Sequence, residues 1–259
     1  MEFKELINNE MPVKKVKMKA DYELAPDFCD CMSSFRSGYL LVIAGYSGSG
    51  KTNLLINLMS NKKHNKKRTS FKQCFHNVFV VSPSLHTLED NIFDDLPPDN
   101  KFTEFNPDML KAYNDMIDEE KEILEKRKHK KKPYKPYLNL LILDDVGNSI
   151  RSSKKLEDEF NKLVANRRHS NTSIIILLQN VVQVPPKVRS NMSHFISFKP
   201  KSIEEEERIF SFTKKPKKFM TEFFEYFFQK PHDFLYIDMS LKNSNDFVFY
   251  RNFNRVNID

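Results

Sequence analysis

Three of the five glycines in this 259-residue chain fall within six positions, in Gly45-Tyr46-Ser47-Gly48-Ser49-Gly50-Lys51-Thr52. The stretch fits G-x-x-x-x-G-K-[ST] without a mismatch. Glycines at 45, 48 and 50 let the main chain curl into a nest, so that N–H groups around Ser47–Lys51 converge on an anion. Lys51 supplies a cation for the terminal phosphates, and the Thr52 hydroxyl suits an oxygen-seeking Mg²⁺. Together these residues are equipped to hold a nucleoside triphosphate, so ATP and Mg²⁺ are the expected cofactors.

A second group of residues completes such a site. The apolar run Tyr137–Leu143 delivers Asp144 and Asp145 at its end. A rigid strand placing Asp144 beside the phosphates would let it hold the metal through water. Asp145 is then positioned to orient the attacking water or take its proton. Gln179 ends the next apolar run, Ser173–Leu178, which aims its amide at the same place. Arg167 and Arg168 lie just before that run. An arginine there can face a neighbouring subunit's nucleotide, or it can simply favour a helix carboxyl end. Arg189 is the rival for the first role.

These side chains require strands that end where the phosphate loop begins. Tyr39–Ala44 reads as a buried strand running into the loop, and Asn53–Met59 as the helix that leaves it. Val78–Val81 is a second short strand, closing on Ser82-Pro83-Ser84. Asn106, Pro107 and Asp108 are helix-start residues ahead of a periodic run, Met109, Leu110, Tyr113, Met116, Ile117, Ile123 and Leu124. A second capped helix is expected from Ser153, with Leu156, Phe160, Leu163 and Val164 inward. A fifth strand is expected at Phe195–Phe198 and a helix over 203–228 that buries Phe223, Phe224, Tyr226, Phe227 and Phe228. Phe234–Met239 with Phe247–Phe253 reads as a hairpin, and Val13–Met18 as a short strand. Strands alternating with helices imply an α/β fold, a mainly parallel sheet sandwiched by helices with its ligand at the strands' carboxyl ends.

Composition narrows the function classes. No run approaches the length of a membrane span, and the charged start Met1-Glu2-Phe3-Lys4-Glu5 does not read as a signal peptide. Cys29, Cys31 and Cys74 do not make a disulfide framework or a four-ligand zinc site. Reduced thiols and an intracellular location are expected. The net charge of +7 is concentrated in residues 62–72 and 126–135, two runs rich in lysine and free of acid; without them the chain is net acidic. Lys214, Lys215, Lys217 and Lys218 form a smaller cluster. Clustered cations attract polyanions through counterion release.

The order of parts resembles the FtsK/HerA superfamily of DNA-pumping P-loop ATPases: a phosphate loop, the Asp144-Asp145 strand, and Arg168 eleven residues before Gln179. Within it, Asn166–Ser173, Val78–Ser84 and Val188–Asn191 are similar to the viral branch, the genome-packaging ATPases of large double-stranded DNA viruses and virophages. The resemblance covers roughly residues 38–255. It implies a RecA-like (ASCE) core, a homo-oligomeric ring, ATP hydrolysis at subunit interfaces, and double-stranded DNA drawn into a preformed capsid. It further implies Arg168 as an arginine finger acting in trans, Gln179 as a sensor, and capsid or portal-vertex proteins as partners. Location would be host cytoplasm or a virus factory, with association to the virion as an option. One departure is Asp144-Asp145 where much of the superfamily has Asp-Glu, which brings the second carboxylate one methylene short. The corresponding division is an N-terminal strap (1–37), an ATPase core (38–200) and a C-terminal helix and hairpin (201–259). A nucleotide or small-molecule kinase and a nucleotide-gated assembly factor share the phosphate loop and stand as alternatives. A GTPase reading lacks its guanine-reading motif, because Val181, Val182 and Gln183 follow Asn180.

Overall fold

Uninterrupted apolar runs such as Leu40–Ala44 and Ile174–Leu178 cannot leave either face in water, and here they become strands buried on both sides. The computed structural model describes residues 3–5, 38–60, 75–84, 92–129, 137–240 and 247–258. The strands are β1 (Phe3–Glu5), β2 (Leu40–Ala44), β3 (Asn77–Val81), β4 (Lys101–Phe102), β5 (Asn139–Asp144), β6 (Thr172–Leu178), β7 (His194–Phe198), β8 (Phe234–Asp238), β9 (Val248–Arg251) and β10 (Asn254–Ile258). They form one sheet in the order β1-β10-β9-β8-β7-β2-β6-β5-β3-β4. Neighbours from β7 across to β4 run parallel. Those from β7 out to β1 run antiparallel. The expected hairpin is therefore an antiparallel extension of the main sheet, with β10 and β1 added at its edge.

The helices are α1 (Lys51–Ser60), α2 (Pro107–His129), α3 (Gly147–Ile150), α4 (Lys154–Asn166), α5 (Pro186–Asn191), α6 (Ile203–Ser211) and α7 (Met220–Phe227). Leu54, Leu55, Leu58 and Met59 of α1 fill one face of the sheet with Leu41, Ile43 and Leu177. The other face is covered by Met109 and Tyr113 of α2, Phe160 and Val164 of α4, and Phe223 and Phe227 of α7. The expected caps form: the Asn106 carboxamide accepts from Met109 N at 2.9 Å, and Ser153 Oγ accepts from Leu156 N at 3.2 Å. A buried polar clasp fixes α2 to the sheet's amino edge. There the Glu120 carboxylate accepts from Asn77 Nδ2 at 2.5 Å and from Asn139 Nδ2 at 2.8 Å.

The expected helix over 203–228 is two helices. Thr213 Oγ1 turns back to Phe210 O at 2.7 Å, Lys214 takes φ +58°, and Pro216 follows, so the ladder cannot continue. Phe223, Phe224, Phe227 and Phe228 are buried as expected, whereas Tyr226 is half-buried. Val13–Met18, the 62–72 basic run and all three cysteines lie outside the described residues, as do residues 130–135 of the second basic run.

Candidate functional site

The parallel strands all point their carboxyl ends at one edge, and the loop after β2 occupies its middle. Gly45 N donates to Leu178 O of β6 at 3.0 Å, which fixes the loop's start against the neighbouring strand. Gly45 must be glycine: a Cβ there would sit 2.7 Å from Ser49 Oγ and 2.9 Å from Phe198 Cβ. Gly48 and Gly50 take φ +81° and +109°, conformations closed to most side chains. Ser49 N donates within the loop to Tyr46 O at 3.1 Å, which removes one amide from the expected nest. The N–H groups opening α1 have no partner within the helix, and its positive end adds to them. Lys51 Nζ folds over the loop to Gly45 O at 2.6 Å and Tyr46 O at 3.0 Å. Burial lowers its pKa, while the carboxylates of Asp144 and Asp145 pull the other way.

A cleft of about 360 Å³ opens beside the loop, lined by Ser47, Gly48, Gly50–Asn53, Pro83, Ser84, Asp144, Asp145, Leu177 and Gln179. Because β6 lies between β2 and β5, its last residue emerges between the phosphate loop and the paired aspartates. Gln179 Nε2 donates to Asp145 Oδ2 at 2.7 Å, and Asp145 holds φ +52° at the turn out of β5. Asp144 accepts from Ser82 Oγ at 2.9 Å, and Ser82 Oγ is 3.1 Å from Ser84 Oγ. Burial raises the Asp144 pKa; Ser82 opposes that shift, and Asp145 adds to it. Sequence reasoning passed over Ser82 and Ser84. Their signal was there, because hydroxyls at the carboxyl end of a parallel strand necessarily face this edge.

Thr52 and Asp144, which both line the cleft, are the candidates to hold Mg²⁺. Among the described residues there is no cluster of three or more His, Cys, Asp or Glu that could hold a metal. One hydroxyl and one carboxylate suit Mg²⁺, which keeps its waters and relies on substrate phosphates for further ligands. The two adjacent arginines separate completely. Arg167 is buried and donates to Gly38 O at 3.0 Å, Val164 O at 2.7 Å and Asn191 O at 2.8 Å. Arg168 is exposed, with its Cα and the stem of its side chain lying beside Gly38. It lies at the amino edge of β6, about 20 Å along the strand from the cleft. Arg189 donates to Val184 O at 2.7 Å within its own segment. The 214–218 lysines are largely engaged at home: Lys214 lies over Phe247, Lys218 over Phe219, Lys215 donates to Ile258 O, and Lys217 pairs with Glu207.

Known proteins are similar to this chain in sequence and in fold. The DNA packaging protein OPG160 of Variola virus is 31% identical over 164 residues, which cover 62% of this chain and 53% of that protein. The chain thus spans about half the length of the curated relatives it matches. B204, the DNA-packaging ATPase from Sulfolobus Turreted Icosahedral Virus, superposes with a TM-score of 0.53 at 16% identity, covering 83% of this chain and 98% of that one. The genome packaging NTPase B204 from Sulfolobus turreted icosahedral virus 2, in complex with ATP-gammaS, does so with a TM-score of 0.51 at 16% identity, with the same coverage of 83% and 98%. These likenesses show the P-loop ATPase fold. Residues 30–230, which contain every parallel strand and the whole cleft, match the family described as Poxvirus A32 protein, and the chain belongs to that family.

Proposed function

We propose that this chain is an ATP-driven double-stranded DNA translocase that packages a viral genome into a preformed capsid, working as a homo-oligomeric ring. The observation that carries the reading is the meeting of Lys51, Thr52, Asp144, Asp145 and Gln179 in one cleft. It is joined to membership of a family whose curated relatives are named DNA packaging proteins.

Backbone amides at the start of α1 bind the phosphates, with Gly45, Ser47, Gly48, Ser49 and Gly50 shaping the loop. Lys51 releases the loop carbonyls and turns its ammonium to the terminal phosphates, where developing negative charge needs it. Mg²⁺ held by Thr52 and Asp144 would neutralise phosphate charge and align the group to be transferred. Gln179 orients the attacking water, and Asp145 accepts its proton; the Gln179–Asp145 bond keeps both groups aimed at one point. Arg168 is exposed about 20 Å along the strand from its own cleft, so it can serve a nucleotide only where a second copy brings it there. That favours hydrolysis at subunit interfaces, and Arg189's engagement with Val184 O favours Arg168 over it.

The kinase alternative needs a basic lid over the phosphates. The described part of the 126–135 run, residues 126–129, is the last turn of α2, beyond Glu120 and its clasp on the amino ends of β3 and β5 and away from the cleft. Duplex DNA and capsid or portal-vertex proteins are the proposed partners. No helix among the described residues is long and apolar enough to cross a membrane. The test is phosphate release from Mg²⁺·ATP by the purified chain, with and without linear duplex DNA, over a salt series. Turnover should rise with DNA and fall steeply as salt increases. Equal turnover with and without DNA at low salt refutes translocation, and label transferred to a nucleoside monophosphate establishes the kinase.

A further inference from the structure

We infer that His232, on the turn between α7 and β8, is a positioning residue for nucleotide binding that orients one phosphate-facing amide of the loop. The inference rests on the reading of Gly45–Thr52 as the triphosphate site. Ser49 C=O and Gly50 N–H belong to one planar trans peptide, so they point in opposite directions. His232 Nδ1 lies 2.9 Å from Ser49 O. A carbonyl can only accept, so Nδ1 carries the proton and donates. Pinning the carbonyl from outside the loop turns the Gly50 N–H toward the cleft that Gly50 lines. The constraint matters at this peptide because Gly50, at φ +109°, has no side chain to resist a flip.

The arm that carries His232 is fixed from below. Asp233 is 6% exposed and accepts from Gln229 N at 3.1 Å, Lys230 N at 2.9 Å, Arg251 Nη2 at 3.0 Å and Asn252 Nδ2 at 2.6 Å. Asn252 Oδ1 in turn accepts from Phe234 N at 2.8 Å. These bonds tie the 229–233 turn to the β9–β10 connection. His232 itself is exposed with φ +66°, a left-handed turn conformation that histidine adopts more readily than most side chains. The antiparallel extension of the sheet thus reaches the phosphate loop through the His232 imidazole.

The experiment compares Mg²⁺·ATPγS affinity by calorimetry for the full chain, His232→Ala and His232→Asn, alongside each protein's nucleotide-free melting temperature. Losing one hydrogen bond should weaken binding about threefold to tenfold in His232→Ala. Asparagine tolerates positive φ and places an amide nitrogen where Nδ1 stood, so His232→Asn should restore most of the affinity at an unchanged melting temperature. Parent-like affinity in His232→Ala overturns the inference. So does equal weakening of both variants accompanied by lower melting temperatures, which marks a merely structural turn. A parent chain that binds no ATPγS refutes the phosphate-site reading itself, and this proposal with it.

Discussion

Arg167 and Arg168 are adjacent and identical in type, yet their replacement by alanine should produce opposite phenotypes. Arg167 is 2% exposed and satisfies three backbone carbonyls, from Gly38 before β2, Val164 in α4 and Asn191 at the end of α5. Burial lowers its pKa to about 10, with Arg168's charge adding to the effect, so it stays cationic at neutral pH. Arg167→Ala strips those carbonyls of their donor inside the fold, where each unpaired acceptor costs about 1–3 kcal/mol. Some of them will recover water, so the expected loss is about 3–5 kcal/mol, a large share of a typical domain's stability. At about 2–4 °C per kcal/mol for a chain near this size, the melting temperature should fall by about 6–20 °C. Arg168→Ala touches only exposed surface and should shift stability by less than about 0.5 kcal/mol. It should nevertheless lower DNA-stimulated turnover by about 10³-fold if its guanidinium serves a neighbouring nucleotide. Urea denaturation paired with phosphate release on both variants makes the comparison. A stable, inactive Arg167→Ala beside an unstable or fully active Arg168→Ala would refute the assignment of one to the fold and the other to the ring.

Three further outcomes follow from the geometry. Asp144→Asn should abolish turnover yet raise the metal-free melting temperature at pH 7. The folded-state pKa of Asp144 is raised, so its ionised form costs stability above that pKa, and the gain should vanish under acid conditions where aspartate is protonated in both states. His194 is fully buried, and its pKa is lowered to about 4 by burial, against the pull of Asp238. The unfolded chain therefore binds the extra proton first, and stability should decline as pH falls from about 6.5 toward 4, with a shallower slope in His194→Gln by urea titrations across that window. Gly45→Ala drives a methyl into Ser49 Oγ and Phe198, so ATPγS affinity should drop by at least about tenfold in calorimetry while far-ultraviolet circular dichroism stays parent-like.

The phosphate loop was legible from sequence because all its determinants are consecutive: three glycines, a lysine and a threonine act through local backbone geometry. Strand runs and the Asn106 and Ser153 caps were legible for the same reason, since burial on both faces and capping are short-range demands on residue type. Asp144 could be placed because a parallel strand has one carboxyl end. The broken helix at 213–216 was missed although Pro216 signalled it, since the aromatic run beyond concealed the stop.

What the chain's order of residues could not decide was which distant groups share an edge. Only the insertion of β6 between β2 and β5 brings Gln179 onto Asp145. Only strand adjacency sets Ser82 on Asp144, 62 positions away, and only the sheet's antiparallel extension carries His232 to Ser49, 183 positions away. Successive residues at a helix end differ by about 100° in direction, so which of two neighbouring arginines enters the core depends on what is packed there. Local sequence specifies backbone shape and chemical type; proximity across the sheet is a property of the packed chain.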